Sequence, residues 1–127
     1  IGAAMLVGYV RPMPKLPAYT PIFLVTNLLF VCVAEEAFFR GFLQERLSGF
    51  LQSKNVTSGA VIALVVCALL FGLVHFAGGA MYVALSTLAG LGYGYAYLRT
   101  QRIEAPILAH FALNVLHFIG FTYPRIA

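Results

Sequence analysis

Few side chains in this sequence can do acid, base or ligand chemistry. There is no aspartate; the only carboxylates are Glu35, Glu36, Glu45 and Glu104, and the only histidines are His75, His110 and His117. Glu45 and Glu104 fall in polar stretches, where solvation is expected. The others lie in or at the ends of apolar runs, together with Arg40 and Asn114. An ionisable group at membrane depth costs about 2.5–3.5 kcal/mol, so each is a candidate functional residue. Glu36 and Arg40 stand at i and i+4 with the acid first, the favoured order for a helical ion pair. Glu35 is turned about 100° from Glu36 on the same helix, so the arginine cannot serve both acids equally. One carboxylate is then structural and the other free for chemistry. His110 and Asn114 also share a face at i and i+4, and His117 extends that face in a packing role.

Absences narrow the chemistry. The sequence has no His-Glu-x-x-His pair and no aspartate dyad. None of Ser48, Ser53, Ser58 and Ser86 occupies a Gly-x-Ser-x-Gly elbow, and neither Cys32 nor Cys67 stands within a helical turn of a histidine. A glutamate base, a histidine partner and an Asn/His donor pair remain, the parts for attack of water on a carbonyl. Taken singly, each group has a bland reading: His75 bonds a carbonyl near the Gly78-Gly79 turn, and the others act as polar glue between helices. Taken jointly, three separate apolar segments each contribute acid, base or amide groups. Hydrocarbon offers such groups no partner but one another.

The elements that must hold these residues are apolar helices. Of the 127 residues, 61% are apolar and 9% charged, with a mean hydropathy of +0.91. Soluble domains are roughly 25% charged. The expected fold is all-α: a single polytopic transmembrane bundle over 1–127, with spans at Pro21–Phe39, Gly59–Phe76, Ala80–Leu98 and Pro106–Phe121 and a partial span at Ile1–Val10. Arg11–Pro21 reads as a loop. Gly41–Gln52 reads as an amphipathic interfacial extension of the first span, with Phe42, Leu43, Leu47, Phe50 and Leu51 on its apolar side. Thr57 or Ser58 is expected to cap the next helix. Ala89-Gly90, Gly92 and Gly94 allow close helix approach, and Tyr93, Tyr95 and Tyr97 suit an interfacial belt. The net charge of +4 is scattered singly rather than clustered, which excludes a nucleic-acid patch. Arg46, Lys54, Arg99 and Arg102 against Arg11, Lys15 and Arg125 give the loops after the first and third spans a slight cytoplasmic lean. Both cysteines read as buried free thiols.

In order along the chain, Glu35-Glu36-x-x-x-Arg40, Phe71-x-x-x-His75 and His110-x-x-x-Asn114 resemble the three signature motifs of the CPBP (CAAX protease and bacteriocin-processing, Abi) intramembrane endopeptidases. That family includes the type II prenyl-CaaX endoproteases, and the similarity covers about residues 27–121. The resemblance implies a membrane protease of a bacterial or archaeal cell membrane, acting on a peptide reached from the bilayer: a CaaX-like tail, a bacteriocin leader or a sorting tag. It implies that Glu35 activates water with His75, that His110 and Asn114 stabilise the oxyanion, and that Glu36 and Arg40 support the site. It implies no required cofactor; the alternative is a zinc on Glu35, His75 and His110, since two histidines and a carboxylate form a known ligand set. Family members usually carry further spans, so an N-terminal part is expected to be missing. Two other classes compete: a non-catalytic immunity or binding protein on the same scaffold, and a proton or ion transporter. The intact motif set argues against the first. The lack of paired half-helices argues against the second.

Overall fold

The computed structural model describes residues 1–123, and among them every regular element is helical. A short helix, α1 (Gly2–Leu6), is followed by Gly8, whose φ of +71° turns the chain toward an extended stretch. That stretch, Arg11–Tyr19, runs alongside the end of the last helix. Met13 N–H donates to the Gly120 carbonyl at 2.8 Å, Lys15 N–H to the Ile119 carbonyl at 2.7 Å, and the Lys15 ammonium to the Phe121 carbonyl. The last turn of a helix leaves carbonyls without intrahelical donors, and here the amino-terminal loop supplies them.

The expected first span and its amphipathic continuation form one helix, α2 (Thr20–Ser53), 34 residues long with Pro21 in its first turn. It is not wound uniformly. Asn27–Val33 and Ala37–Gln44 take the wider π winding, and Ala34–Glu36 between them stays α-helical. π winding stacks residues five apart, which aligns Asn27 with Cys32, and such segments are frequent at functional sites. The double glutamate occupies the α-helical turn between the two.

Three helices complete the described fold: α3 (Gly59–Leu73), α4 (Ala80–Thr100) and α5 (Glu104–Gly120). Ser58 occupies the position before α3 with φ +63° and its hydroxyl makes no capping bond, so neither candidate cap acts as one. The turn at Phe76–Gly78 ends α3 early, leaving it apolar but only 15 residues long. At 21 residues α4 is long enough to span, but its glycines, tyrosines, serine and threonines dilute its apolar character; α5 has 17 residues. Among the described residues α2 alone is both long and apolar enough to cross a membrane. The expectation of four full spans is thus met by one helix on length and composition together. Arg125, counted above as a loop charge, lies outside the described residues.

Packing centres on Phe39, Phe71 and Tyr93, with Leu43 and Ala89 against them. Helix α3 packs most extensively on α4, and Gly90 admits the approach that matters for the site. A Cβ there would stand 3.1 Å from the Phe71 ring and 3.2 Å from Arg40 Nη2. On the second half of α2, Phe42 and Phe50 point outward, as the apolar face of an interfacial helix would, but Gln44, expected on the polar side, is buried because Gln44 Nε2 donates to the Gly94 carbonyl at 3.1 Å. The expectation for the tyrosines is reversed in part: of the three expected at an interface, only Tyr95 is exposed; Tyr93 and Tyr97 are buried. Cys32 and Cys67 are buried and free, as read from the sequence.

Candidate active site

Helices α2 and α5 meet along a chain of polar contacts that begins at Arg40. Its Nε lies 3.2 Å from Glu36 Oε2, and both side chains are 0% exposed. The guanidinium also donates from Nη2 to the Gly90 carbonyl at 2.7 Å and stands over the Phe71 ring at 4.8 Å. Further bonds offset the burial of such a pair: Arg40 Nη1 and Nη2 and Glu36 Oε1 are hydrogen-bonded, while Arg40 Nε and Glu36 Oε2 face each other as an ion pair alone.

The other oxygen of the same carboxylate reaches the last helix. Glu36 Oε1 accepts from His110 Nδ1 at 2.8 Å, across 74 residues of sequence. A carboxylate paired with arginine can only accept, so the proton of that bond sits on Nδ1 and the ring presents Nε2 to its far side. Tyr93 stacks on the imidazole with centroids 4.6 Å apart and planes 15° apart, fixing its tilt. His110 Nε2 faces Glu35 Oε2 at 3.9 Å. That oxygen is buried and has no hydrogen-bond partner among the described residues, while the Glu35 side chain as a whole is 32% exposed. The two adjacent glutamates are therefore unlike: one locked between Arg40 and His110, the other held only by its approach to His110.

A cavity of about 470 Å³ opens beside this chain, and His75, His110 and Asn114 are all in its wall. His75 Nδ1 donates to the Phe71 carbonyl at 2.7 Å, the local i to i+4 bond of the Phe-x-x-x-His spacing, which leaves Nε2 as its open atom. Tyr82 meets the His75 ring edge-on at 5.3 Å. Asn114 Nδ2 donates to Asn27 Oδ1 at 3.2 Å and approaches Cys32 Sγ at 3.7 Å, while the Cys32 thiol donates to the same Asn27 oxygen at 3.3 Å. Glu35 is not in the cavity wall; it borders the site through His110. His117 bonds the Thr122 carbonyl from Nε2 at 3.0 Å and packs on Tyr123, so it ties down the end of α5.

The alternative zinc set was Glu35, His75 and His110. Among the described residues no three His, Cys, Asp or Glu side chains are grouped as a metal ion requires. Each histidine has Nδ1 held by a protein acceptor, which leaves Nε2 available to a metal, so the misfit lies in the grouping of the three side chains. As arranged, these residues do not fit a three-ligand zinc site.

A family model described as Rce1-like, type II CAAX prenyl endopeptidase, matches residues 17–116. The chain belongs to that family. The match spans most of the chain and takes in the whole cluster from Asn27 to Asn114, with His117 just beyond it. No curated protein and no solved structure matches the chain. Membership carries the general class of the family, a membrane-embedded CAAX-type protease. Sequence reasoning passed over two members of the cluster. Asn27 lies eight residues before Glu35, two turns along the same face, and that spacing was its available signal. Tyr93 carried no such signal, because its stacking partner lies on a different helix.

Proposed function

We propose that this chain is a multi-pass intramembrane endopeptidase in which Glu35 is the base that activates water. The observation that carries the reading is Glu35 Oε2, an unpartnered buried carboxylate oxygen 3.9 Å from His110 Nε2 beside a cavity. A contact of that length suits a bridging water. Such a water loses a proton to Glu35 as its oxygen attacks the scissile carbonyl carbon. The proton passes to His110 Nε2, where the imidazolium is compensated by Glu36 through Nδ1. Nε2–H then donates to the oxyanion that has just formed. Collapse of the tetrahedral intermediate breaks the C–N bond, and the proton goes to the leaving amine.

The remaining groups support this order of events. His75, fixed by the Phe71 carbonyl, offers Nε2 to the cavity as a second proton carrier. Asn114 is oriented by Asn27 and lends its amide to the oxyanion once substrate draws it from that contact. Arg40 pairs with Glu36 and so holds in place the carboxylate that fixes His110, a positioning role. The substrate class is a CaaX-like peptide tail entering from the bilayer, in keeping with the family. The outward-facing Phe30, Phe38 and Phe42 on α2 suit lipid contact.

The test of this mechanism against a metal is elemental analysis of active, chelator-treated protein. Full activity with less than stoichiometric metal is expected. One zinc per chain, with activity lost on its removal and restored on its return, would make Glu35 a ligand.

A further inference from the structure

The wall of the cavity of about 470 Å³ carries a polar side chain that the mechanism above leaves unused. Ser86 stands on α4 one turn after Tyr82 and two turns before Tyr93. Tyr82 meets the His75 ring edge-on, and Tyr93 stacks on the His110 ring. Residues three, four and seven apart share a helix face, and Tyr82, Ser86, Ala89 and Tyr93 all line the cavity. Ser86 therefore faces the cavity between the contacts that α4 makes to the two histidines.

The side chain is 7% exposed, and among the described residues its hydroxyl makes no hydrogen bond. Thr26, Ser53 and Thr100 each spend their hydroxyl on a carbonyl one turn back, at 2.8, 2.7 and 2.8 Å. Ser86 does not. Nor is its oxygen sealed in: the buried polar side-chain atoms with neither a hydrogen bond nor an opening belong to Glu35, Glu36, Arg40 and Gln44. What little exposure Ser86 keeps opens on the cavity. A hydroxyl buried without a partner costs free energy, and a ligand group that bonds it recovers that cost.

We propose that Ser86 binds the peptide substrate, donating its hydroxyl proton to a backbone carbonyl beside the scissile bond. The inference rests on the endopeptidase reading above and adds a substrate-binding residue to it. His75 and His110 both hold their Nδ1 proton on a protein acceptor, so each presents a lone pair at Nε2. Leu85, Leu88, Ala89 and Leu113 make much of the surrounding wall apolar. A peptide entering such a cavity leaves water behind, and each of its carbonyls that finds no donor there is costly. The other free donors in the wall are the Asn114 amide, already assigned to the oxyanion, and the hydroxyls of Tyr9, Tyr82 and Tyr93. Those hydroxyls ride at the tips of rings held against neighbouring rings. Ser86 carries its donor one bond from Cβ, at the helix surface, within reach of an extended backbone.

The test uses the full chain in phosphatidylcholine nanodiscs and a farnesylated CaaX peptide whose scissile bond is replaced by a trans-alkene. That ligand is not cleaved, so its Kd does not depend on which residue is the base. Ser86→Ala should raise the Kd roughly three- to tenfold, the scale of one neutral hydrogen bond. Its unfolding in SDS should match that of wild type, because the lost hydroxyl bonds no protein group. A second set of peptides replaces one neighbouring amide at a time with a trans-alkene. One of them should bind wild type more weakly than the parent peptide does, yet bind Ser86→Ala equally well, the coupling expected of two bonded groups. An unchanged Kd in Ser86→Ala, or equal losses in both proteins at every replaced bond, would overturn the inference and leave the endopeptidase reading standing. Absence of saturable binding to wild type would overturn the CaaX substrate reading and this inference with it.

Discussion

Replacing Arg40 with methionine removes the charge and keeps an unbranched side chain among Phe39, Phe71 and Tyr93. The arginine and Glu36 are both fully buried, 3.2 Å apart from Nε to Oε2. Removing one partner of such a pair strands a charge at a cost of about 3–5 kcal/mol. Loss of the bond to the Gly90 carbonyl falls within that range rather than adding to it, since one side chain serves both. The variant should therefore unfold about 3–5 kcal/mol earlier when titrated with SDS in mixed micelles, with unfolding read by far-UV circular dichroism. Adding Glu36→Gln removes the stranded charge. The double variant should recover about 1–3 kcal/mol of the loss, as a coupling between residues in one network. A loss below about 1 kcal/mol, or a double variant as unstable as the sum of its singles, would refute the picture of a locked pair.

Asn114→Ala should lower kcat by roughly 10²–10³, the scale for losing one oxyanion donor, with little change in unfolding. Asn27→Ala should act in the same direction but more weakly, and Asn27→Asp, which keeps the acceptor, should restore much of the rate. Gly72→Ala should cost about 1–3 kcal/mol in the same SDS titration, because the new methyl would sit 2.8 Å from the Val83 carbonyl and against Thr87. Glu104 is fully exposed, and its carboxyl is held below its ordinary value of 4.5, first by its own backbone N–H and then by Arg102. A depressed carboxyl stabilises the fold above its unfolded value and stops doing so as pH falls through its folded value. The melting-temperature difference between wild type and Glu104→Gln should accordingly be present at pH 7 and vanish in acid below pH 4.5.

The sequence was most legible where spacing within one helix carries the information. The Glu36–Arg40 pair follows from i to i+4 geometry; His75 bonds the Phe71 carbonyl one turn back rather than the carbonyl near the Gly78-Gly79 turn of its bland reading. The limits of the helices were read closely too, apart from the early ends of α3 at Leu73 and of α1 at Leu6, where Ile1–Val10 was expected. Contacts between helices were not legible in the same way. His110 was expected to act with Asn114 on a shared face, yet its closest partner is Glu36, 74 residues away. The π winding of α2 could not be read from composition, and it shifts which residues align: Asn27 meets Cys32 at i+5. The burial of Gln44, expected on the polar side of this helix, was not legible either; Gly94 makes it possible, because a side chain there would stand 3.1 Å from Gln44 Oε1. Of the four spans expected, length and composition together support α2 among the described residues, because a turn shortens α3 and glycines and hydroxyls dilute α4.

The central claim is that Glu35 is the base and Glu36 is not. Its most direct test is single-turnover cleavage of a farnesylated CaaX peptide by reconstituted wild type beside Glu35→Gln, with both proteins first matched for helix content. Glutamine keeps the shape of the side chain and cannot take the proton, so Glu35→Gln should show no cleavage above the no-enzyme rate while folding normally. A Glu35→Gln variant that cleaves within tenfold of wild type would contradict the assignment and move the base elsewhere in the cluster.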